Sequence, residues 1–258
     1  MSSELILRNH EDAVLLLTMN RPERKNAFNH HLYKALADAL VAAAADDDVH
    51  VVVVTGTGGA FSSGQDFSEM TDAPPVDQGP HGFQVLMDVL CGFDKPVIAA
   101  VNGVAVGLGM TMLLHCDIVY LAESARMRCP FVTLGVVPEA ASSYLLPATI
   151  GFQRAAEVLY TAAWIDAARA LELGIAARVL PDADLLPTAL AKAGEIAVHP
   201  PRAVRHTKQL LLATRADAIR VARAREDEAF AERIGSPENL EAITAFFERR
   251  APDFRKKG

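Results

Sequence analysis

Apolar residues form short β-branched runs in the first half of the chain and helical stripes in the second. Val14 to Met19 is an apolar run that stops at Asn20-Arg21-Pro22, the pattern of a buried strand entering a loop. Phe28, Leu32, Leu36 and Leu40 recur every fourth residue and, with Ala35, Ala39 and Ala43, predict a helix with one apolar face. Asp46-Asp47-Asp48 ends that run. Val49 to Thr55 is β-branched and almost wholly apolar, as a strand covered on both faces must be. Gly56-Thr57-Gly58-Gly59 then predicts a loop, and the Pro/Gly-rich stretch from Asp72 to Gly82 a second, longer one. Pro96 to Val101 reads as a third strand leading into Asn102-Gly103. A helix is expected near Gly107 and a fourth strand at Ile118 to Ala122.

From about Glu139 onward the pattern is mainly helical. Ser236-Pro237 is a helix start, with a side-chain cap followed by proline in the first turn. Leu240, Ile243 and Phe247 are expected to be that helix's buried stripe. The sum is an α/β core over residues 1–200 and a helical region over 201–258. No sequence repeat of fixed period is visible.

Composition narrows the function. The chain has 258 residues, of which 51% are hydrophobic and 22% charged, the balance of an ordinary globular protein. Its net charge of -7 gives no basic face for nucleic acid. Cys91, Cys116 and Cys129 are odd in number and form no C-x-x-C pair, which argues against a disulfide framework or a zinc site. The first residues lack the basic and apolar stretches of a signal peptide. The most membrane-like stretch, Val104 to Ala122, is broken by Gly107, Gly109, His115 and Asp117. A cytoplasmic protein with no membrane partner is expected.

Two glycine-bearing turns follow two of the strands: Ala60-Phe61-Ser62-Ser63-Gly64-Gln65-Asp66, and Asn102-Gly103-Val104-Ala105-Val106-Gly107-Leu108-Gly109. Glycine allows positive φ and close backbone approach, and a helix opening after such a turn leaves N–H groups unpaired. Two such turns could aim two N–H donors at one oxygen, although glycine at a strand–helix junction also serves packing alone. A dinucleotide fingerprint fails here: Gly56 and Gly58 fit, but Phe61 occupies the sixth position, and no phosphate-binding P-loop is present.

Four segments, in order along nearly the whole chain, resemble the crotonase (enoyl-CoA hydratase/isomerase) family. They are Asn20 to Phe28 (NRPERKNAF), the turn Ala60 to Asp66, Lys95 to Gly103 (KPVIAAVNG), and the ending Ser236 to Phe254 with Phe246-Phe247-Glu248-Arg249-Arg250. The resemblance implies a ββα spiral core, C-terminal helices that build homotrimers often paired into hexamers, and an acyl-CoA thioester as substrate. It implies no metal or redox cofactor, since coenzyme A is part of the substrate. An oxyanion hole is then expected from the backbone N–H groups of Gln65 and Leu108. Leucine stands where many hydratases have glycine, but the N–H remains. Substrate contacts are expected at Arg24, Lys25, Ala27, Ser63, Gly64, Asp66, Gly107 and Phe131.

The same resemblance separates the reactions. Family hydratases work with two glutamates, whose positions fall here on Thr111 and Phe131, and neither can act as a carboxylate base. The stretch Cys129 to Tyr144, with its Pro138-Glu139 pair and Ser142-Ser143-Tyr144, is similar to peroxisomal-type Δ3,Δ2-enoyl-CoA isomerases, as is the Gly-x-x-x-Thr spacing of Gly107 to Thr111. That makes Glu139 the expected single acid/base, beside an apolar wall of Phe131, Leu134 and Val136. Without the resemblance, Glu139 reads as an acid opening a helix. The alternatives are a hydratase-like or other acyl-CoA isomerase, including a dienoyl-CoA isomerase with a second acid at Glu69 or Asp72, and a catalytically silent acyl-CoA binder. His115 and Asp117 read as hydrogen-bonded core groups, Trp164 as packing, and Arg220 to Glu228 as a solvated face of mixed charge.

Overall fold

The computed structural model describes residues 4–67 and 82–255. The segment carrying Glu69, Asp72 and nearly all of the Pro/Gly-rich stretch lies outside them.

Strand β1 (Ile6–Glu11) pairs antiparallel with β2 (Val14–Met19). Helix α1 (His30–Ala45) follows, capped by the Asn29 side chain accepting from the Leu32 N–H. It buries Leu32, Leu36, Ala39, Leu40 and Ala43, so the predicted four-residue spacing is its core face. Strands β3 (Val51–Gly56) and β4 (Ala60–Ser62) come next, then α2 (Gly82–Gly92), β5 (Val97–Val101) and β6 (Val104–Val106). Helix α3 spans only Leu108–Thr111 and passes into a 3-10 turn over Met112–His115. The helix expected near Gly107 is therefore short: it supplies free N–H groups rather than a long dipole. Then come β7 (Ile118–Ala122), β8 (Arg126–Arg128) and a 3-10 turn over Phe131–Leu134.

The remaining elements are α4 (Ser142–Ile150), α5 (Phe152–Thr161), β9 (Ile165–Asp166), α6 (Ala167–Leu173), β10 (Arg178–Leu180), α7 (Asp182–Ala197), α8 (Pro201–Ala213), α9 (Ala216–Arg233) and α10 (Pro237–Phe247). The helical reading of this half holds, with two short strands added that its pattern did not reveal.

One sheet runs β1-β2-β3-β5-β7-β10 and a second β4-β6-β8-β9. Beyond β1, every pair in the larger sheet is parallel, as are β4/β6/β8 in the smaller. The chain thus visits the large sheet, then the small one, then a helix, and repeats: β3-β4-α2, β5-β6-α3, β7-β8 and its helices. This is a ββα spiral. The repeat is not evident in sequence because the units begin at unevenly spaced positions, Val51, Val97 and Ile118.

All six residues of β3 and all five of β5 are buried, which explains their continuous apolar runs. Helix α7 lies across β3, β5 and β7. Two buried lysines tie helices to this sheet. Lys95 Nζ donates to the Ala43 and Asp46 carbonyls at the C-terminus of α1, and Lys208 Nζ donates to the Lys95 carbonyl and the Asp117 carboxylate. Asp117 also accepts the Val97 N–H, so it is hydrogen-bonded as the sequence suggested, but at an exposed position rather than in the core.

Helix α10 starts as expected, with the Ser236 side chain accepting from the Asn239 N–H. Its buried face is corrected, however: Asn239, Ala242 and Ala245 point inward, while Leu240, Phe246 and Phe247 are more than half exposed. Among the described residues no helix is long and apolar enough to cross a membrane.

Candidate active site

The two glycine turns meet. Gly64 (φ 85°) lies so close to the second turn that a Cβ would sit 2.6 Å from the Val106 carbonyl oxygen and 3.6 Å from Gly107 Cα. Gly107 itself has φ 54°, and a Cβ on Gly109 would strike the Ser62 carbonyl at 2.4 Å. Glycine is required at Gly64 and Gly107 by conformation, and at Gly64 and Gly109 by contact. Among the described residues, the N–H groups of Gln65 and Leu108, which follow Gly64 and Gly107, have no hydrogen-bond acceptor in the protein. The Gln65 side chain is held by Tyr33, whose hydroxyl donates to Gln65 Oε1 at 2.7 Å.

A third loop locks this pair. Asn26 is fully buried in a left-handed conformation (φ 53°) next to Lys25 (φ 52°). Its Oδ1 accepts from the Arg21 N–H at 2.8 Å, and its Nδ2 donates to the carbonyls of Thr57 (3.0 Å) and Ala60 (2.8 Å). The Ser62 hydroxyl donates to the Asn26 carbonyl, the Ser63 N–H to the Lys25 carbonyl and the Phe28 N–H to the Gly64 carbonyl. Arg21 reaches across to the Ala27 carbonyl and pairs with the Asp66 carboxylate at 3.1 Å. Arg24, Lys25, Ala27, Ser63, Gly64, Asp66 and Gly107 are therefore brought together. Asp66 braces the loop through Arg21, and Arg24 and Lys25 stay exposed at its rim.

Neither hydratase-type position carries an acid. Thr111 is buried with its hydroxyl turned to the Gly107 carbonyl (3.3 Å), and Phe131 is buried. Glu139 sits in an irregular turn before α4, three residues ahead of the first helical residue, which corrects the reading of it as a helix-opening acid. Its backbone is strained on the C-terminal side: Ala140 (φ 60°) and Ala141 (φ 57°) are both left-handed. Burial pushes the Glu139 carboxyl up to about 8, and the negative charges of Glu226 and Asp227 act in the same direction.

His115 is not a base. Burial holds it down to about 4, and its Nε2 lies 2.8 Å from the Ala140 carbonyl. A carbonyl only accepts, so Nε2 carries the proton. Cys129, buried and facing the charge of Glu139, is pushed up to about 12 and is unreactive as a thiolate.

The sequence reading missed three contributors. The sequence reading has Asn26 only as part of the Asn20 to Phe28 motif and does not single out Tyr33. Part of the supposed solvated face on α9 is buried: Glu226 accepts the N–H groups of Ala141 (2.6 Å) and Ser143 (2.8 Å), and Arg223 pairs with Asp88. A mixed-charge run gives no local signal of such a contact, because its partners lie more than eighty residues away. Trp164 is also corrected: it is partly exposed and flanked by Arg126 and Arg128, whose guanidinium carbons stand 5.1 and 5.7 Å from its ring centre. Among the described residues no group of three or more His, Cys, Asp or Glu could hold a metal ion.

Comparison with known proteins agrees with this geometry. The family model described as enoyl-CoA hydratase/isomerase matches residues 9–257. The 2,3-dehydroadipyl-CoA hydratase of Escherichia coli K12 is 36% identical over 257 residues, covering 98% of this chain and 99% of that protein. Human enoyl-CoA delta isomerase 2 is 33% identical over 254 residues, covering 96% of this chain and 64% of that longer protein. The crystal structure of an enoyl-CoA hydratase/isomerase from Pseudoalteromonas atlantica T6c superimposes with a TM-score of 0.93 at 39% identity, covering 97% of this chain and 99% of that one. The chain belongs to the enoyl-CoA hydratase/isomerase (crotonase) family, whose enzymes act on coenzyme-A thioesters.

Proposed function

We propose that this enzyme moves the double bond of 3-enoyl-CoA to give 2-enoyl-CoA, with Glu139 as its single acid/base. The observation that carries the reading is the distribution of carboxyl groups: none at Thr111 or Phe131, and one at Glu139 held near neutral titration. Hydration needs a base to activate water and an acid to deliver its proton. Isomerisation needs one carboxyl only. Glu139 takes a proton from C2, which is acidified by the thioester and by the neighbouring alkene. Negative charge moves to the thioester oxygen, where the Gln65 and Leu108 N–H groups receive it. The same carboxyl then delivers the proton at C4.

Each oxyanion donor in such a site is worth roughly 2.7–4 kcal/mol in the transition state. Gly64, Gly107 and Ala27 let the acyl group approach the backbone. Arg24 and Lys25 meet phosphates of the coenzyme-A moiety, Ser63 and Asp66 shape the loop beneath it, and Phe131 walls the reacting carbons from water. A homotrimer fits the exposed Leu240, Phe246 and Phe247 of α10.

The relatives' names divide between hydratases and isomerases, so the test must separate the two. Purified protein is mixed with 3-enoyl-CoA and, separately, with 2-enoyl-CoA, beside the Glu139→Gln variant. The expectation is isomerisation without matching hydration, with kcat reduced about 10³-fold in the variant. Hydration faster than isomerisation, or a variant as active as the wild type, would defeat the reading.

A further inference from the structure

The turn that presents Glu139 is tied down by groups outside it as well as within. Two consecutive alanines in the left-handed region are costly for residues with a Cβ. The bonds inside the turn engage other groups: the Ser142 N–H and hydroxyl both go to the Glu139 carbonyl. On one side His115 donates to the Ala140 carbonyl. On the other, the N–H groups of Ala141 and Ser143 point at α9, where the buried Glu226 carboxylate accepts both, one on each oxygen. We propose that Glu226 is the positioning residue for Glu139: by holding the Ala141 and Ser143 N–H groups it fixes the left-handed pair that aims the acid into the site.

The inference rests on Glu139 being the acid/base, and it adds a second consequence. Among the described residues, the ionisable groups facing this turn are Glu226 and Asp227 from α9, His115 from the 3-10 turn after α3, and Cys129 from the segment after β8. His115 is neutral and Cys129 stays protonated, so the charges acting on Glu139 are those of Glu226 and Asp227. Arg223, one turn back on α9, is engaged with Asp88. Burial raises the Glu226 carboxyl, while the Ser143 and Ala141 hydrogen bonds draw it back down. Glu226 thus both shapes the turn and, by its charge, keeps Glu139 protonated to higher pH. Asp227 shares only the second role, since it makes no bond to the turn.

That difference supplies the test. In Glu226→Gln the amide offers one acceptor where two are needed. Its kcat for 3-enoyl-CoA should fall at least tenfold with KM within twofold, and the acidic limb of its pH profile should move to lower pH. Asp227→Asn should move the limb in the same direction and leave plateau kcat within twofold. Adding Ala141→Gly to Glu226→Gln, which makes the left-handed position easy, should restore at least threefold of the lost kcat.

In the wild type, the amide proton shifts of Ala141 and Ser143 should follow the titration of the carbon-13-labelled Glu226 carboxyl, assigned by its loss in Glu226→Gln or, if that variant does not fold, in Glu226→Asp. Glu226→Gln with unchanged kcat and pH profile, or amide shifts indifferent to Glu226, would overturn the proposal. A wild type inactive on 3-enoyl-CoA defeats the acid/base reading alone, and the amide titration still decides the role of Glu226.

Discussion

The meeting of the glycine turns and the turn bearing Glu139 are built on opposite principles. The first is held by backbone and neutral groups close in space to their own strands, Asn26, the Ser62 hydroxyl and a chain of N–H to carbonyl bonds, beside the Arg21–Asp66 ion pair. The second is held by a carboxylate from α9, in the C-terminal helices. A donor pair proposed for an oxyanion must be rigid and indifferent to pH, and neutral bonds give that. An acid/base must sit near its titration point, and for Glu139 burial raises that point first, with the charges of Glu226 and Asp227 adding to it. The contrast teaches that a geometry indifferent to pH and one coupled to charge are built from different bonds, neutral groups in the first and an ionisable carboxylate in the second.

The comparison breaks most severely at Gly64. Gly64→Ala places a methyl group 2.6 Å from the Val106 carbonyl at φ 85°, forcing the two turns apart. Steady-state kinetics should show kcat down about 10²–10³-fold with the pH profile in place. A shifted profile instead would mean that the two halves are not independent. Next is Asn26→Ala, which leaves the Thr57 carbonyl and the Arg21 N–H unpaired. The expected loss is about 3 kcal/mol, seen as a thermal midpoint lowered by about 6–12 °C, at acid and neutral pH alike.

The smallest expected effect is on stability, in the charged half. Glu139 titrates at about 8 when folded against 4.5 for the free side chain. Between those values the unfolded chain has released its proton and the folded one has not. Stability present below about pH 4.5 is therefore lost as pH rises to about 8. Glu139→Gln should abolish this slope and gain about 1–2 kcal/mol at pH 8, allowing for solvent screening, or about 4 °C in midpoint. Melting curves at pH 5 and pH 8 decide: an equal gain at both would mean that charge is not the cause.

Much of this was legible in the residues. Unbroken β-branched runs dictate strands covered on both faces, four-residue spacing dictates the core face of α1, and the Ser236-Pro237 pair dictates where α10 begins. Glu139 was singled out by its Pro-Glu context and by the missing acids at Thr111 and Phe131. The short strands β4, β6, β8 and β9 were not legible, since two or three residues carry no period. The inward face of α10 was misread because its large side chains point outward and its small ones pack.

What sequence alone determined was therefore each element whose burial follows its own periodicity, and the identities of the candidate groups. Tertiary structure decided which groups meet: that Gly64 touches the second turn, that Asn26 joins three loops, and that Glu226 clamps the turn of an acid eighty-seven residues before it. The physical reason is that periodicity reports a segment's exposure to water. A hydrogen bond between distant segments depends on the path of the backbone between them, and no local pattern encodes that path.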